Sequence, residues 1–235
     1  LLDRMQADPD AGRVDAAATK DLLATFREGT ADDAADAVIR KWNEGIAPQS
    51  IWDAVFCGSG ELLLRQPGIV ALHSATTTNA LHYAFRSTRS AQLRKRLLLQ
   101  NAAFLPMFRQ AMRGRGQIGE LTIDALEPAA TESDPAEAMQ DIFAQIPKDR
   151  TAAARKTLEY LRSGGQAEPL LSAARHWLLL KGNDAHDYKF GSAVLEDFTA
   201  VSPEWRNAFL AACMMHLCGA GESDSRLVER TRSVI

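Results

Sequence analysis

Cysteine is scarce in this chain. Only Cys57, Cys213 and Cys218 occur among 235 residues. An odd, low count excludes a disulfide framework and fits a reducing, cytoplasmic compartment. Long apolar runs are also missing: nothing approaches the roughly 18 consecutive apolar residues of a membrane span. The richest stretch, 170–180, is interrupted by Arg175 and His176. Alternating β-branched runs are absent, which leaves strands little support. No basic charge dominates either, with a net charge of -3 at pH 7. Arg94-Lys95-Arg96 and Arg113-Gly114-Arg115 are short and read as a solvated helix face and a helix end, so nucleic acid has no evident footprint. There is no Walker loop, no Gly-x-Gly-x-x-Gly after a strand, no His-Glu-x-x-His and no paired Cys-x-x-Cys for structural zinc. The first residue is Leu1 and not Met, so the chain reads as a fragment or a trimmed product. A removed signal peptide and a missing N-terminal domain both stay open.

What is present is helical periodicity over a chain that is 46% hydrophobic and 24% charged, enough for a real core. Residues 1–13 form a polar lead-in with Asp8-Pro9 and Ala11-Gly12 as turn signals. Helices are predicted at about 15–28 and 31–44, closed by Gly29 and Gly45, and a third opens near Pro48 with Ser50 as a candidate cap. Further helices are expected over 67–86, over 90–113 with a kink at Pro106, and over 136–145, 149–163, 168–181 and 184–199. A last long one runs from Ser202-Pro203 to about 217, with a short helix after Asp224. Residues 114–135, with Gly114, Gly116, Gly119, Pro128 and Pro135, read as a long loop or lid. The expected fold is all-α, an irregular multi-helix bundle or a solenoid-like array of antiparallel helix pairs, in one domain over 1–235.

Five histidines and one lysine carry the candidate chemistry. In Asn183-Asp184-Ala185-His186-Asp187-Tyr188-Lys189-Phe190, Asp184 can cap a helix, and a spacing of three puts His186 and Lys189 on one face. Phe190 and Ala193 continue that face, which predicts that it points inward. A buried lysine needs a partner, a lowered pKa or a modification such as carbamylation, which supplies an oxygen ligand. The plain alternative is that Lys189 pairs with Asp187, Glu196 or another acid. His73 and His82 lie nine residues apart, on opposite sides of a continuous helix. His73, with Thr77 and Ala80, is expected to face inward; Asn79 and His82 share another face. His176 reads as core or as a supporting group that completes or orients a site, and His216 shares a face with Cys213. A single histidine on an apolar helix is usually a hydrogen-bonded core residue; several together point towards a metal, because imidazole is the commonest transition-metal ligand.

Two segments resemble the questin oxidase-like family. Leu72-His73-Ser74-Ala75-Thr76-Thr77-Thr78-Asn79-Ala80-Leu81 is similar to its His-led helix, and Asp184-Ala185-His186-Asp187-Tyr188-Lys189 to its Asp-x-His-x-x-Lys motif, followed by an Ala-rich helix like 205–217. The likeness extends loosely over 70–217. A second histidine about two turns after His73 is missing: Asn79 or Ala80 falls there and His82 comes late. The resemblance implies a helical oxidative enzyme acting on polycyclic aromatic molecules, with a histidine-rich metal centre. The expectation is therefore a non-heme iron oxygenase-like protein. His73, His186, His216 and Lys189 would be ligands, Lys189 and His82 would take part in catalysis, and Tyr83, Tyr188 and Phe190 would line a site for an apolar or aromatic small molecule. The competing reading is a non-catalytic helical scaffold or binding module with core histidines. A hydrolase built on Ser59 lacks the strand that such a nucleophile needs.

Overall fold

The computed structural model describes residues 1–6 and 12–234. The turn signals at Asp8-Pro9 and Ala11 lie outside them. Among the described residues the chain is all-α, with eleven α-helices and no strand beyond one isolated bridge between Arg13 and Ile46. In chain order these are α1 (Ala16–Glu28), α2 (Ala31–Asn43), α3 (Pro48–Arg65), α4 (Ile69–Ser87), α5 (Ala91–Arg113), α6 (Pro135–Gln145), α7 (Arg150–Arg162), α8 (Ala167–Lys181), α9 (Ala185–Ala200), α10 (Pro203–Cys213) and α11 (Arg226–Arg232). None is long and apolar enough to cross a membrane.

Local chemistry fixes most of the boundaries. Asp15, Ser90, Asp149 and Asp184 each accept a hydrogen bond from a first-turn amide. Thr30 and Asp33 form a reciprocal capping box at the start of α2. Pro48, Pro135 and Pro203 occupy the first helical position, where no amide hydrogen is needed. Gly45 sits at φ +76° just past α2, a left-handed geometry that glycine takes without strain. Ser50 is not a cap: α3 begins after Ala47, and the Ser50 hydroxyl instead accepts from the Asp15 amide at 2.8 Å. α5 is assigned as helix straight through Pro106.

The centre of the molecule is α3, which packs against α1, α4, α5 and α10. Every residue from Ser50 to Leu64 is buried. A helix buried on all sides must be apolar or have its polar groups satisfied; α3 is largely apolar, and its two buried carboxylates are hydrogen-bonded. Trp52, Val55, Phe56, Leu62 and Leu63 supply core, each worth about 1.5–3 kcal/mol when removed from water. Asp53 accepts from the Gln49 side chain and the Ser202 amide, and Glu61 accepts from Arg27 and the Ile123 amide. Gly58 and Gly60 mark close packing. A Cβ at Gly58 would meet Leu105 at 2.8 Å, and one at Gly60 would meet Ala212 at 3.2 Å.

The long loop between α5 and α6 is tied down along its first half. Gly119 and Arg65 exchange hydrogen bonds, and the Gln66 side chain donates to Gln117. A short 3-10 turn at Ile123–Ala125 then buries Ile123 beside Glu61. Those ties make a strap anchored on α3.

Candidate functional site

α4 and α9 lie side by side. His73 meets His186 near their starts, and Asn79 meets Asp197 further along. The pairings keep the same order on both helices, so the two run in the same direction. On α9 the buried stripe is Phe190, Ala193, Val194 and Asp197, at the i, i+3, i+4, i+7 spacing of a helix face. Its last member is an acid. On α4 the buried face includes Leu72, Ala75, Thr78, Asn79, His82 and Phe85. Asn79 therefore stands opposite Asp197 and bridges three groups. Its Nδ2 donates to Asp197 Oδ1 and Glu196 Oε2, both at 2.9 Å, and its Oδ1 accepts from Lys189 Nζ at 2.9 Å.

Beside this bridge the two helices part into a cleft of about 390 Å3, walled by Asn79, His82, Tyr83 and Arg86 from α4 and by Glu196 and Asp197 from α9. Asp197 is only 4% exposed. Burial pushes its carboxyl up to about 7; the Asn79 hydrogen bond opposes this, Glu196 adds to it and Lys189 opposes it. His82 is set between Trp52, Phe56 and Phe85, with ring centroids 4.8 Å and 4.9 Å from the first two. Burial, helped by Arg86, lowers its pKa to about 4, so the imidazole is neutral at physiological pH. Among the described residues it has no hydrogen-bond partner, and neither ring nitrogen is both sealed from solvent and unpaired. The cleft lining thus holds, on α9, a carboxyl that ionises near neutrality and, on α4, an imidazole that makes no hydrogen bond to a described residue. Environments that push two titrating groups in opposite directions are how acid and base roles are separated.

The expected site residues scatter about this cleft. His82 and Tyr83 line it, Tyr83 at its rim and 69% exposed. His73 lies on the outer face with Thr77 and Ala80, while Asn79 and His82 point inward. The expected grouping of faces holds, but its direction is reversed. His186 and Lys189 are likewise on the exposed side of α9; the His186 side chain is 47% exposed. The reason is Phe190: the buried stripe starts with it, and His186 and Lys189 precede that stripe on its solvent edge. Lys189 uses its amine to donate to Asn79, so the burial that argued for carbamylation is missing. Phe190 is core and packs its ring 5.0 Å from His216. Tyr188 donates its hydroxyl to the Gly182 carbonyl at 2.9 Å and closes the α8–α9 turn. Neither tyrosine nor phenylalanine there reaches the cleft lining. His176 is exposed beside Trp177 and is not core. His216 lies past the end of α10, in a turn, with burial lowering its pKa.

Of the four residues expected to hold iron, two meet. The rings of His73 and His186 lie 5.4 Å apart, and His186 Nδ1 is 3.5 Å from Asp184 Oδ1. His216 is engaged with Phe190 and Lys189 with Asn79. Among the described residues no three His, Cys, Asp or Glu side chains are placed to hold a metal ion together. The four-ligand set does not fit this arrangement.

Asp197 and Asn79 went unmarked as functional residues in the sequence. The former could have been found: an acid at the i+7 position of a stripe that begins Phe190, Ala193, Val194 is an acid facing the core. No protein-family model matches the chain, and comparison with curated proteins and with solved structures finds no match either.

Proposed function

We propose that the chain is an enzyme of the acid–base kind, binding a small polar molecule in the cleft between α4 and α9 and exchanging protons with it through Asp197 and His82. The observation that carries this reading is a buried carboxyl, held by Asn79, in the lining of an open cleft that also contains an imidazole without a hydrogen bond to any described residue. A carboxyl that ionises near neutrality is present as acid and as base in comparable amounts, which is what proton transfer at physiological pH needs. His82, neutral, offers one nitrogen as acceptor and the other as donor. Asn79 fixes the rotamer of Asp197, and Lys189 fixes the orientation of the Asn79 amide by occupying its oxygen. The wall is polar, which favours a substrate rich in hydroxyl, amine or amide groups over an apolar one. The test is amide and imidazole NMR of the protein against a panel of small polar amines, alcohols and amides. Shifts should cluster at Asn79, His82, Tyr83 and Asp197 and vanish in Asp197→Asn. Shifts confined elsewhere, or no binding at all, would return the chain to a scaffold reading.

A second reading keeps the iron-dependent oxidation that the questin oxidase-like resemblance implies, on an apolar or aromatic substrate. The contact between His73 and His186 favours it. On that reading these two imidazoles would contribute to holding the metal, which would supply oxygen activation. Stoichiometric iron in protein purified without a histidine tag, lost in His186→Ala, is the expected result. Tagless protein that takes up no iron counts against it.

A further inference from the structure

Charge is unevenly spread along the chain. Between Glu61 and Glu120 there is no Asp or Glu, although the chain has 30 of them, and nine of its 27 Lys and Arg fall in that interval. The interval covers the end of α3, the α4–α5 hairpin and the turn after it. Four of the nine cations are engaged. Arg65 donates to Gly119, Lys95 to Met5, and Arg109 to Phe26 and Gly29, while Arg94 lies over the Phe85 ring. Arg86 lines the cleft. The other four stand at the two ends of α5, Arg89 and Arg96 at its start, Arg113 and Arg115 at its finish. All four are exposed and make no hydrogen bond or ion pair with a described residue. Between these basic ends α5 turns an uncharged stripe to solvent. Leu93, Gln100, Phe104, Met107 and Ala111 recur at helical spacing, and each is exposed or half-buried. Leu93 is 41% and Met107 53% exposed. From Arg96 to Arg113 the only charge on the helix is Arg109, which is buried, so the uncharged stretch is about 24 Å long. α4, packed beside α5, adds half-buried Val70, Leu81 and Ala84 on its own solvent side. The outer sides of α1 and α2 differ: there Lys41 pairs with Asp21 and Arg4 with Asp36.

From this pattern we infer that the outer face of α5, with α4 beside it, docks the protein on a bilayer surface that carries anionic lipid headgroups. The inference stands apart from the acid–base reading of the cleft. The contact is peripheral, since no described helix is long and apolar enough to cross a membrane. A helix that lies in the interface sinks apolar side chains to the level of the acyl chains and holds its cations among the headgroups. Leu93, Phe104 and Met107 are placed for the first role, and Arg89, Arg96, Arg113 and Arg115 for the second. No carboxylate in the interval opposes them. Nucleic acid fits less well, because it needs cations spread along the face to meet successive phosphates, and the centre of this face has none. An acidic peptide helix would need a groove to lie in, whereas Leu93, Phe104 and Met107 stand on the outer side of one helix and do not line the cleft.

The experiment is sedimentation of the full chain with vesicles of phosphatidylcholine, alone or mixed with about 30% phosphatidylserine. Binding should require the serine lipid and weaken as salt screens it. Arg96→Gln and Arg113→Gln, both at exposed positions, should each lower the partition about five-fold, the value of one cation near an anionic surface. Met107→Asp should lower it further. Depth is read separately. The three native cysteines are buried, so Met107→Cys can carry an environment-sensitive dye on an otherwise unaltered chain, and the test survives if Met107→Asp fails to fold. The dye emission should move to the blue on the mixed vesicles. The same dye at Leu179→Cys on α8, a position 61% exposed, should not respond. No binding to the mixed vesicles, equal binding to phosphatidylcholine alone, a partition unmoved by both arginine changes, or a Met107 dye that stays in water while the protein sediments would each overturn the inference. So would binding of polyglutamate or duplex DNA by a chain that refuses vesicles, which assigns the face to an acidic protein or to nucleic acid.

Discussion

Asn79 is a single side chain that serves three partners, taking a hydrogen bond from Lys189 and giving one each to Glu196 and Asp197. Asn79 itself and Lys189 both hold the Asp197 pKa down against burial, whereas Glu196 raises it. Removing Asn79 or Lys189 should therefore raise it further. Lys189→Met deletes a partly screened positive charge on an exposed residue, so stability should change by less than about 1 kcal/mol. The Asp197 carboxyl signal, followed by carbon NMR across pH, should nonetheless titrate at higher pH than in the unaltered chain. Asn79→Leu should raise it more, because it takes away a direct hydrogen bond, and should cost about 1–3 kcal/mol by leaving buried acceptors unpaired. An Asp197 titration unmoved in both variants would mean that the bridge does not govern the carboxyl. At this scale the sequence was only partly legible. Spacing put Asn79 and His82 on a common face and offered Glu196 as a candidate partner for Lys189. It did not reveal that the partner is an amide on another helix, 110 positions away in the chain. A side chain's long-range partner is set by how helices pack, and local periodicity carries no trace of that.

Helices were the most legible level. Start signals such as Asp15, Thr30, Asp184 and Ser202-Pro203 act over a single turn, so they can be read from a few neighbouring residues. Faces were harder. α4 has almost no charged residues between Ile69 and Tyr83, so nothing marked which side meets water, and His73 was placed inward when it points out. The strap over 114–134 was legible as irregular backbone but not as anchored backbone. Its hold depends on Glu61, 3% exposed, which receives three hydrogen bonds from Arg27 and one from the Ile123 amide, while Arg27 also reaches Asp124 at 2.5 Å. Breaking a buried ion pair from one side leaves the other charge stranded, typically at about 3–5 kcal/mol. Glu61→Ala should destabilise the chain by that order and release the Ile123 amide to faster hydrogen exchange. If exchange at Ile123 stays as slow as in the core of α3, the strap is held by apolar packing of Ile123 and Leu126 and not by the carboxylate.

On the scale of the whole molecule, the two titrating groups of the cleft pull stability in opposite directions over nearly the same range of pH. Asp197 binds its proton more tightly folded, at about 7, than at the ordinary 3.8 of the unfolded chain. As pH rises through that interval the unfolded chain loses this proton first, so stability falls, by ~4 kcal/mol in all if the shift is fully expressed. His82 binds its proton less tightly folded, at about 4, than at 6.5. As pH rises through that interval the unfolded chain sheds the proton that the folded one never took up, so stability rises, by ~3 kcal/mol. One burial therefore offsets the other, and the intact chain shows little net slope from this pair. Single substitutions should expose it. Asp197→Asn keeps an oxygen for Asn79 and mimics the protonated acid, so relative to the intact chain it should be near neutral at about pH 4 and progressively stabilising towards about pH 8. His82→Phe keeps an aromatic ring against Trp52 and Phe56 and cannot titrate. Its advantage over the intact chain should be greatest at about pH 4 and fade by about pH 7. Urea midpoints of the three proteins across that range give two difference curves, and every other titrating group cancels from both. Curves that slope in opposite directions place both groups in the buried wall with their pKa values displaced as described. Curves that are flat or that slope alike would show that one of the two is hydrated, and would take the acid–base pair away with it.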